Sequence, residues 1–387
     1  MIYLKKSNLY NFDEIVDRRG TGSMKWDKYG GRDVIPLWVA DMDFCSPPAV
    51  IEALNNRVGH GIFGYTVPPD ELSEVVGRLL EKEYGWKTEK DWIVWLPGLV
   101  TGLNVVCRAV GEDGDDVMTA VPVYPPFLTA PGNSRRNLIK TYLSEANGKW
   151  KFDFEGMEKA VTPRTRLFLL CNPHNPVGRV YSRDELACLA SFCTKHGIII
   201  GSDEIHCGLL LDREKHHIPT ATISPETSDR TVTLMAPSKT FNLPGLGCSF
   251  AVISNSDLRR RFTGAMKGIV PRVNALGYTA ALVAYRDSHD WHRDLLGYLK
   301  ANRDLALDSV NKMPGISAGE VEATYLAWID VRKSDIEDPA RFFEDAGVGL
   351  SDGKEFGTPG FLRLNFGCQR SLLVKALERM AVAVELK

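Results

Sequence analysis

The chain has 387 residues, of which 44% are hydrophobic and 25% charged, and its formal net charge at pH 7 is −2. This balance is typical of a globular chain with two or three domains, and the near-neutral charge argues against binding to nucleic acid or to an anionic membrane. The first twelve residues contain no apolar core of a secretory signal, so we expect a cytoplasmic protein.

Residues 1 to 45 predict an arm at the start of the chain. Its centre, LWVADMDF at 37–44, mixes aromatic residues with two aspartates. Aromatic residues near an N-terminus often only anchor an arm to another domain. The alternative is a loop on the substrate side of a site, in which Trp38 to Ala40 pass near the bound ligand. Both interpretations stay open at this point.

Two helices and a loop follow the arm. Residues 49–58 predict a short helix, and residues 70–84 have apolar positions at helical spacing, with Asp70 as the N-cap. The loop between these helices contains Tyr65 in a Gly-Tyr-Thr sequence.

A predicted strand at 92–96 is broken at Gly98 and leads into a predicted helix at 99–110. Glycine lets backbone N–H groups approach a ligand closely, and a helix N-terminus attracts an anion. Val100 and Thr101 in the first turn are therefore candidates for anion binding, although this signal is weak by itself.

The next strand, 117–121, leads to Tyr124, which two prolines follow. The ring of Tyr124 could stack on a flat ligand, or it could be an ordinary core aromatic residue.

Three further predicted strands end in polar residues: 167–170 before Asn175, 197–201 before Asp203, Glu204 and His206, and 231–235 before Lys239. The NPHNPVG sequence around Asn175 requires no more than a turn, and carboxylates at the end of a buried strand are costly unless they meet a cation or a donor. A lone loop lysine is usually solvated. A Schiff-base lysine needs a desolvated amine beside groups that can hold an anion.

These strands alternate with helices, which predicts an open, mostly parallel α/β sheet. Ligands of such sheets bind at the carboxyl ends of the strands. We therefore expect Tyr124, Asn175, Asp203 and Lys239 to converge there, and four strand ends together are a stronger signal than any one of them.

The C-terminal part begins with a predicted buried helix at 275–285, too short to span a bilayer, and a long helix at 291–310. In the α+β region beyond, Arg363 lies in a predicted strand, 361–366, between apolar residues. It could form a structural salt bridge or bind a substrate carboxylate through its planar guanidinium. The eight cysteines contain no C-x-x-C pair, so we expect reduced thiols and no metal site.

These motifs resemble the fold type I pyridoxal-phosphate enzymes, the aspartate aminotransferase superfamily. The resemblance rests on Tyr124, NPHNPVG, SDEIH at 202–206, SKTFN at 238–242 and Arg363-Leu-Asn, and it covers nearly the whole chain. LWVADMDF, VYPPF, APSKTFNLPG and FLRLNFGCQRS are most similar to the cystathionine β-lyase and cysteine carbon–sulfur lyase branch.

The resemblance implies an α/β fold of the type I transferase kind, divided into three parts. An arm at 1–45 joins the small domain, a large domain at 46–284 binds the cofactor, and a small α+β domain occupies 285–387.

Five residues acquire roles toward the cofactor ring from this resemblance. Lys239 would hold pyridoxal 5'-phosphate covalently and then act as the base at the substrate Cα. Asp203 would keep the pyridine nitrogen protonated, so that the ring is an electron sink. Asn175 would bond the 3'-oxygen with support from His206, and Tyr124 would stack on the ring and could act as an acid.

The resemblance also assigns the cofactor phosphate. Val100, Thr101 and Ser238 would bind it through backbone N–H groups and hydroxyls. Tyr65 would reach the phosphate of a neighbouring subunit, which implies a homodimer with shared active sites. Gly247 stands where aminotransferases place a phosphate-binding arginine, so another group must meet part of that charge.

The substrate is expected to be an amino acid bound as a small molecule, or a small amino acid if the enzyme is an aminotransferase. Arg363 would grip its α-carboxylate, with Asn175, Trp38 and Ala40 nearby. The implied reaction is β-elimination, which cleaves the C–S bond of L-cystathionine or a cysteine S-conjugate to a thiol, pyruvate and ammonia. The alternative is an aminotransferase that uses the same residues, and a regulator without catalysis is disfavoured by the intact Lys239, Asp203 and Arg363.

Overall fold

A computed structural model describes residues 10–146 and 148–387. The strands are β1 Ile35–Pro36, β2 Ile93–Leu96, β3 Asp116–Val121, β4 Asn137–Ala146, β5 Lys149–Phe152, β6 Thr165–Cys171, β7 Ile199–Asp203, β8 Thr231–Met235, β9 Ser249–Val252, β10 Ser317–Ala318, β11 Leu326–Asp330, β12 Val348–Gly349, β13 Ser351–Asp352 and β14 Phe361–Asn365. The helices are α1 Met24–Asp27, α2 Pro48–Gly59, α3 Asp70–Tyr84, α4 Leu99–Ala109, α5 Pro125–Asn133, α6 Phe154–Ala160, α7 Arg183–Lys195, α8 Pro225–Asp229, α9 Ser256–Met266, α10 Ala275–Asp287, α11 His289–Val310, α12 Pro339–Asp345 and α13 Arg370–Glu385.

The larger sheet has eight strands in the order β2-β9-β8-β7-β6-β3-β4-β5. Its centre, from β8 through β7, β6 and β3 to β4, is parallel, which confirms the predicted architecture. Strands β3, β6, β7 and β8 are almost entirely buried, as expected where helices pack on both faces of a parallel sheet. The carboxyl ends of β3, β6, β7 and β8 consequently lie along one edge.

Strand β9 was not predicted from the sequence. It runs antiparallel to both of its neighbours, β2 and β8. The connection from β8 to β9 holds only a short 3₁₀ turn, Pro244–Leu246, rather than a crossover helix, so the chain can only return antiparallel. This connection carries Lys239.

The N-terminal caps of helices α7 and α3 differ in how well the local sequence predicts them. Helix α7 begins with a capping box, in which Ser182 and Glu185 satisfy each other's backbone N–H groups. The prediction of Asp70 as the N-cap of α3 is wrong. Pro69 occupies the cap position, and the Asp70 carboxylate instead accepts a hydrogen bond from Lys90.

The smaller sheet is antiparallel, in the order β10-β11-β14-β13, and helices α11 and α13 pack together beside it. The N-terminal segment joins this region through the parallel pair β1 and β12. No helix in the described ranges is both long and apolar enough to cross a membrane.

Candidate active site

The structure brings together the four strand ends that the sequence singled out. The backbone N–H of Tyr124 donates to the Asn175 carbonyl oxygen at 3.1 Å, so the segments after β3 and β6 are joined. Asp203 ends β7, and its carbonyl accepts from the N–H of Asn172 at 3.0 Å. Lys239 follows β8 closely enough for its charge to influence the pKa of Asp203. Arg363 on β14 reaches the same place from the smaller sheet.

Lys239 is half-buried and presents a desolvated amine to this site. Its Nζ atom donates to the Ala40 carbonyl oxygen at 2.6 Å. Burial and, to a smaller extent, the positive charge of Arg363 lower the pKa of Lys239 to about 8, against the opposing charges of Asp41 and Asp203. An amine with this pKa is partly neutral near neutral pH and is therefore able to act as a nucleophile and a base.

Asp203 is a buried carboxylate without a cationic hydrogen-bond partner in the described chain. Oδ1 accepts from the backbone N–H of Ile205 at 3.1 Å. Burial raises the pKa of Asp203 to about 7, although that hydrogen bond and the charge of Lys239 lower it. Such a group gains most from a positively charged ligand atom placed beside it.

The neighbouring Glu204 is a residue whose partners the sequence did not reveal. Its Oε2 atom lies 2.7 Å from Nε2 of His217, and Oε1 accepts from the Thr220 N–H and the Ser202 hydroxyl. Glu204 is thus fully used within the protein and points away from the Lys239 site, since none of its partners belongs there.

Arg363 has no carboxylate partner among the residues that the structure describes. Its guanidinium donates to Asn175 Oδ1 at 3.1 Å and to the Trp38 carbonyl oxygen at 2.7 Å, and it lies over the Phe356 ring. Its Nε atom is buried without a partner in the described chain, and burial lowers the pKa of Arg363 to about 10. The salt-bridge interpretation is therefore wrong, and the guanidinium retains capacity for an anion.

The segment 37–44 passes between the two cations. Two of its carbonyl groups face the site. The carbonyl oxygen of Trp38 accepts from Arg363, and that of Ala40 accepts from Lys239 and from the Tyr325 hydroxyl. The indole of Trp38 turns the other way, because its Nε1 atom donates to the carbonyl oxygen of Lys25 at 3.1 Å. The backbone of this segment, rather than its aromatic side chain, therefore borders the site.

His206 and Tyr124 are the remaining polar rings of the site. His206 is buried, its Nδ1 atom has no partner in the described ranges, and its pKa is lowered to about 3 by burial and then by the charges of Lys239 and Arg363. The ring is consequently neutral. Burial also raises the pKa of Tyr124, against the opposing influence of Arg363, so its phenol keeps its proton at neutral pH.

The N-terminus of α4 provides a place for an anion. Gly98 precedes the helix, no side chain caps it, and a Cβ atom at Gly98 would meet nothing within 4 Å. The first N–H groups of a helix have no intrahelical partner, and their dipole favours a negative charge. Val100 and Thr101 lie in this first turn, and Val100 is exposed.

Gly247 lies beside this helix end. Its φ of 60° is left-handed, and a Cβ atom there would approach the Pro97 carbonyl oxygen to 3.0 Å. An arginine at this position would be strained whatever its side chain did. The backbone conformation at Gly247 thus favours glycine over arginine.

Tyr65 lies outside the cluster within one chain. Its side chain is fully exposed, and its loop, 63–66, borders a surface cavity together with residues 271–276.

These residues fit pyridoxal phosphate. The desolvated amine of Lys239 suits the aldehyde of the cofactor, the buried Asp203 suits its pyridine nitrogen, and the N-terminus of α4 suits its phosphate. Arg363, which has no carboxylate partner among the described residues, suits the carboxylate of an amino acid.

Comparisons with known proteins agree with this fit. The aminotransferase class I and II family matches residues 32–380. Cystathionine beta-lyase PatB of Bacillus subtilis (strain 168) is 38% identical over 386 residues, covering 97% of this chain and 100% of PatB. The crystal structure of OvoB superposes with a TM-score of 0.95 at 45% identity, covering 97% of this chain and 99% of that one. The PLP-bound C-S lyase from Staphylococcus hominis gives a TM-score of 0.91 at 33% identity, covering 97% and 98%.

Proposed function

Because the chain belongs to the aminotransferase class I and II family, we propose that it is a pyridoxal-phosphate-dependent carbon–sulfur lyase. The reaction is β-elimination, which converts L-cystathionine or a cysteine S-conjugate to a thiol, pyruvate and ammonia. The names of PatB and of the Staphylococcus hominis enzyme support this reaction. The observation that carries the proposal is the desolvated amine of Lys239 near Asp203 and Arg363, neither of which has an oppositely charged hydrogen-bond partner in the described chain.

The substrate is held by its carboxylate. Arg363 binds the α-carboxylate through its planar guanidinium, and Asn175 keeps the guanidinium in place through the 3.1 Å contact at Oδ1. This orients the Cα–H bond toward Lys239. The carbonyl oxygens of Trp38 and Ala40, which accept hydrogen bonds from Arg363 and Lys239, border the same space.

Proton transfer falls to Lys239. When bound, pyridoxal phosphate supplies the electron sink that stabilises negative charge at the substrate Cα, and Asp203 lies ready to pair with its pyridine nitrogen. The neutral amine of Lys239 removes the Cα proton. Lys239 in its protonated form, or the Tyr124 phenol, then protonates the departing sulfur.

The remaining cofactor contacts belong to the same proposal. Val100, Thr101 and Ser238 hold the phosphate, and Tyr124 stacks on the ring. His206 supports the edge of the ring that Asn175 contacts, as a neutral imidazole.

A homodimer with shared active sites is also part of the proposal. Tyr65 is fully exposed, and its loop carries further exposed apolar side chains at Ile62, Phe63 and Val67. Adjacent exposed apolar residues of this kind mark protein interfaces. In a dimer, Tyr65 of one subunit would reach the phosphate in the other.

A cytoplasmic location completes the proposal. All eight cysteines lie in the described part of the chain, and none forms a disulfide. Free thiols in this number are typical of a reducing compartment.

The test is incubation of the purified, cofactor-loaded protein with L-cystathionine, with and without a keto acid. We expect pyruvate and a free thiol to appear without the keto acid. The alternative, an aminotransferase, would be supported by two results together: cystathionine does not react, and another amino acid is consumed only when a keto acid is supplied.

A further inference from the structure

The segment 37–41 borders the candidate active site through two of its carbonyl groups. The Trp38 oxygen accepts a hydrogen bond from Arg363 at 2.7 Å, and the Ala40 oxygen accepts one from Lys239 at 2.6 Å. In the proposed reaction these two cations bind the substrate carboxylate and remove the Cα proton. Both of them therefore contact the backbone of one short segment.

The carbonyl groups beside and between these two are bound by a single residue, Asn365. Its backbone N–H donates to the Leu37 oxygen at 2.9 Å, and its Nδ2 atom donates to the oxygens of Val39 at 2.6 Å and Asp41 at 2.7 Å. The Asp41 oxygen also accepts from Lys25 at 3.1 Å. Asn365 thus binds every second carbonyl group of the segment.

The side chain of Asn365 is fully buried and is used within the protein. Its Oδ1 atom accepts from the backbone N–H of Gly367 at 2.7 Å. Because that N–H can only donate, the amide turns Oδ1 toward Gly367 and both N–H bonds of Nδ2 toward the segment. Asn365 lies two positions after Arg363 on β14, so both side chains project from the same face of the strand.

We propose that Asn365 is a positioning residue, whose side-chain amide sets the direction of the carbonyl groups that meet Arg363 and Lys239. Each peptide unit is planar, so fixing two alternate carbonyl groups restricts the unit between them, which carries the Ala40 oxygen. A lysine side chain is flexible, and an acceptor in a fixed place limits where its amine lies. The effect of Asn365 on turnover rests on the proposed function, whereas its effect on the segment and on the amine does not.

Hydrogen exchange of the cofactor-loaded protein tests the effect on the segment. Asn365→Ala removes both side-chain donors and should raise amide exchange in residues 37–44 about tenfold or more. Asn302→Ala is the matched control, because Asn302 is also fully buried and its Nδ2 atom donates to two carbonyl oxygens, those of Phe366 at 3.0 Å and Cys368 at 2.8 Å. The control should leave exchange in residues 37–44 within about twofold of wild type.

Incorporation of pyridoxal 5'-phosphate into the cofactor-free protein tests the effect on the amine. Only the neutral form of Lys239 attacks the aldehyde, so the rate rises with pH as the amine loses its proton. An acceptor oxygen stabilises the ammonium form, and its displacement in Asn365→Ala should move the midpoint of this rise about 0.5 to 1 pH unit lower. The charged groups that influence the amine are the same in both proteins. Asn302→Ala should keep the wild-type midpoint.

Turnover gives the third measurement. With L-cystathionine, kcat/KM should fall about 10- to 100-fold in Asn365→Ala and stay near the wild-type value in Asn302→Ala. Asn365→Thr retains one hydroxyl donor and suits a strand, so its values should lie between those of wild type and Asn365→Ala. If Asn365→Ala does not fold, Asn365→Thr serves for all three measurements.

Any of three outcomes in a folded variant would overturn the proposal. These are unchanged exchange in residues 37–44, an unchanged pH midpoint for cofactor incorporation, and equal changes in the Asn365 and Asn302 variants. A wild-type enzyme that does not cleave cystathionine would overturn only the proposed function, because exchange and cofactor incorporation do not involve that reaction.

Discussion

Two regions of this protein bury positive charge in opposite ways. Near the N-terminus, Lys25 is fully buried, and its Nζ atom lies 2.7 Å from Asp43 Oδ2. Arg18 contacts the same Asp43 at 2.7 Å and Asp41 at 2.6 Å. Every cation of this cluster thus has a carboxylate partner.

Arg363 is also buried and Lys239 is half-buried, yet their hydrogen-bond partners are carbonyl, amide and hydroxyl oxygens. Burial accordingly lowers the pKa of both groups. A charge that is desolvated without an ionic partner lowers the free energy of unfolding. Proteins retain such charges mainly at functional sites, where a ligand supplies the partner. Lys25 and Arg18 therefore stabilise the fold through ion pairs, whereas Arg363 is available to bind an anion and Lys239 is able to lose a proton.

The largest expected effect is on activity at Lys239. Lys239→Ala removes both the covalent attachment point and the base, so turnover should fall about 10³-fold or more. The wild-type protein should carry a yellow chromophore that this variant cannot form, as its absorption spectrum would show. Lys267→Ala changes an exposed lysine and should leave both properties intact. Turnover within tenfold of wild type in Lys239→Ala would contradict the proposed chemistry.

The next effect concerns stability at the paired cluster. Lys25→Met leaves Asp43 buried with one cation fewer, so the free energy of unfolding should fall by about 3–5 kcal/mol. Denaturant unfolding measures this change. Lys82→Met, at a lysine whose side chain is 72% exposed, serves as the control and should cost little. If the two variants are equally stable, the ion pair of Lys25 does not stabilise the fold.

Arg363 should affect substrate binding more than folding. Arg363→Ala should raise KM for an α-carboxylate substrate about 10- to 100-fold, because charge-assisted hydrogen bonds are lost, while the cofactor spectrum stays unchanged. Arg363→Lys should recover only part of this, since an ammonium cannot form the paired contacts of a guanidinium. A loss of cofactor with unchanged KM would argue for a structural role.

The smallest effect is the pH dependence of stability that Lys239 contributes. Its folded pKa of about 8 lies below the ordinary value of 10.5, so the folded state binds fewer protons between these pH values. Stability contributed by this group therefore rises with pH across that window. Unfolding of cofactor-free protein at pH 7.5 and 10.5 should show this rise relative to Lys239→Met. If the free energy of unfolding changes equally with pH in the wild-type protein and in Lys239→Met, the amine of Lys239 is not desolvated.

The sequence by itself determined the parallel sheet and the positions of its strand ends. Continuous apolar runs such as 231–235 predict strands buried on both faces, and parallel strands place Asp203 and Lys239 at one edge whatever the details of packing. The resemblance carried by the motifs added the cofactor and the family, which the comparisons confirm. The roles of individual site residues and the domain boundaries at 45 and 284 stay predictions.

Only the tertiary structure decided questions that depend on distant partners. The sequence left Arg363 between a salt bridge and a binding group, and the choice depended on which residues of the arm and of the larger sheet packed against β14. The same holds for Trp38, whose ring turns to Lys25 while its carbonyl group meets Arg363. Glu204 and His217 lie 13 positions apart with nothing local to join them. Hydrogen bonds and burial at such residues arise from long-range packing, which no local spacing along the chain encodes.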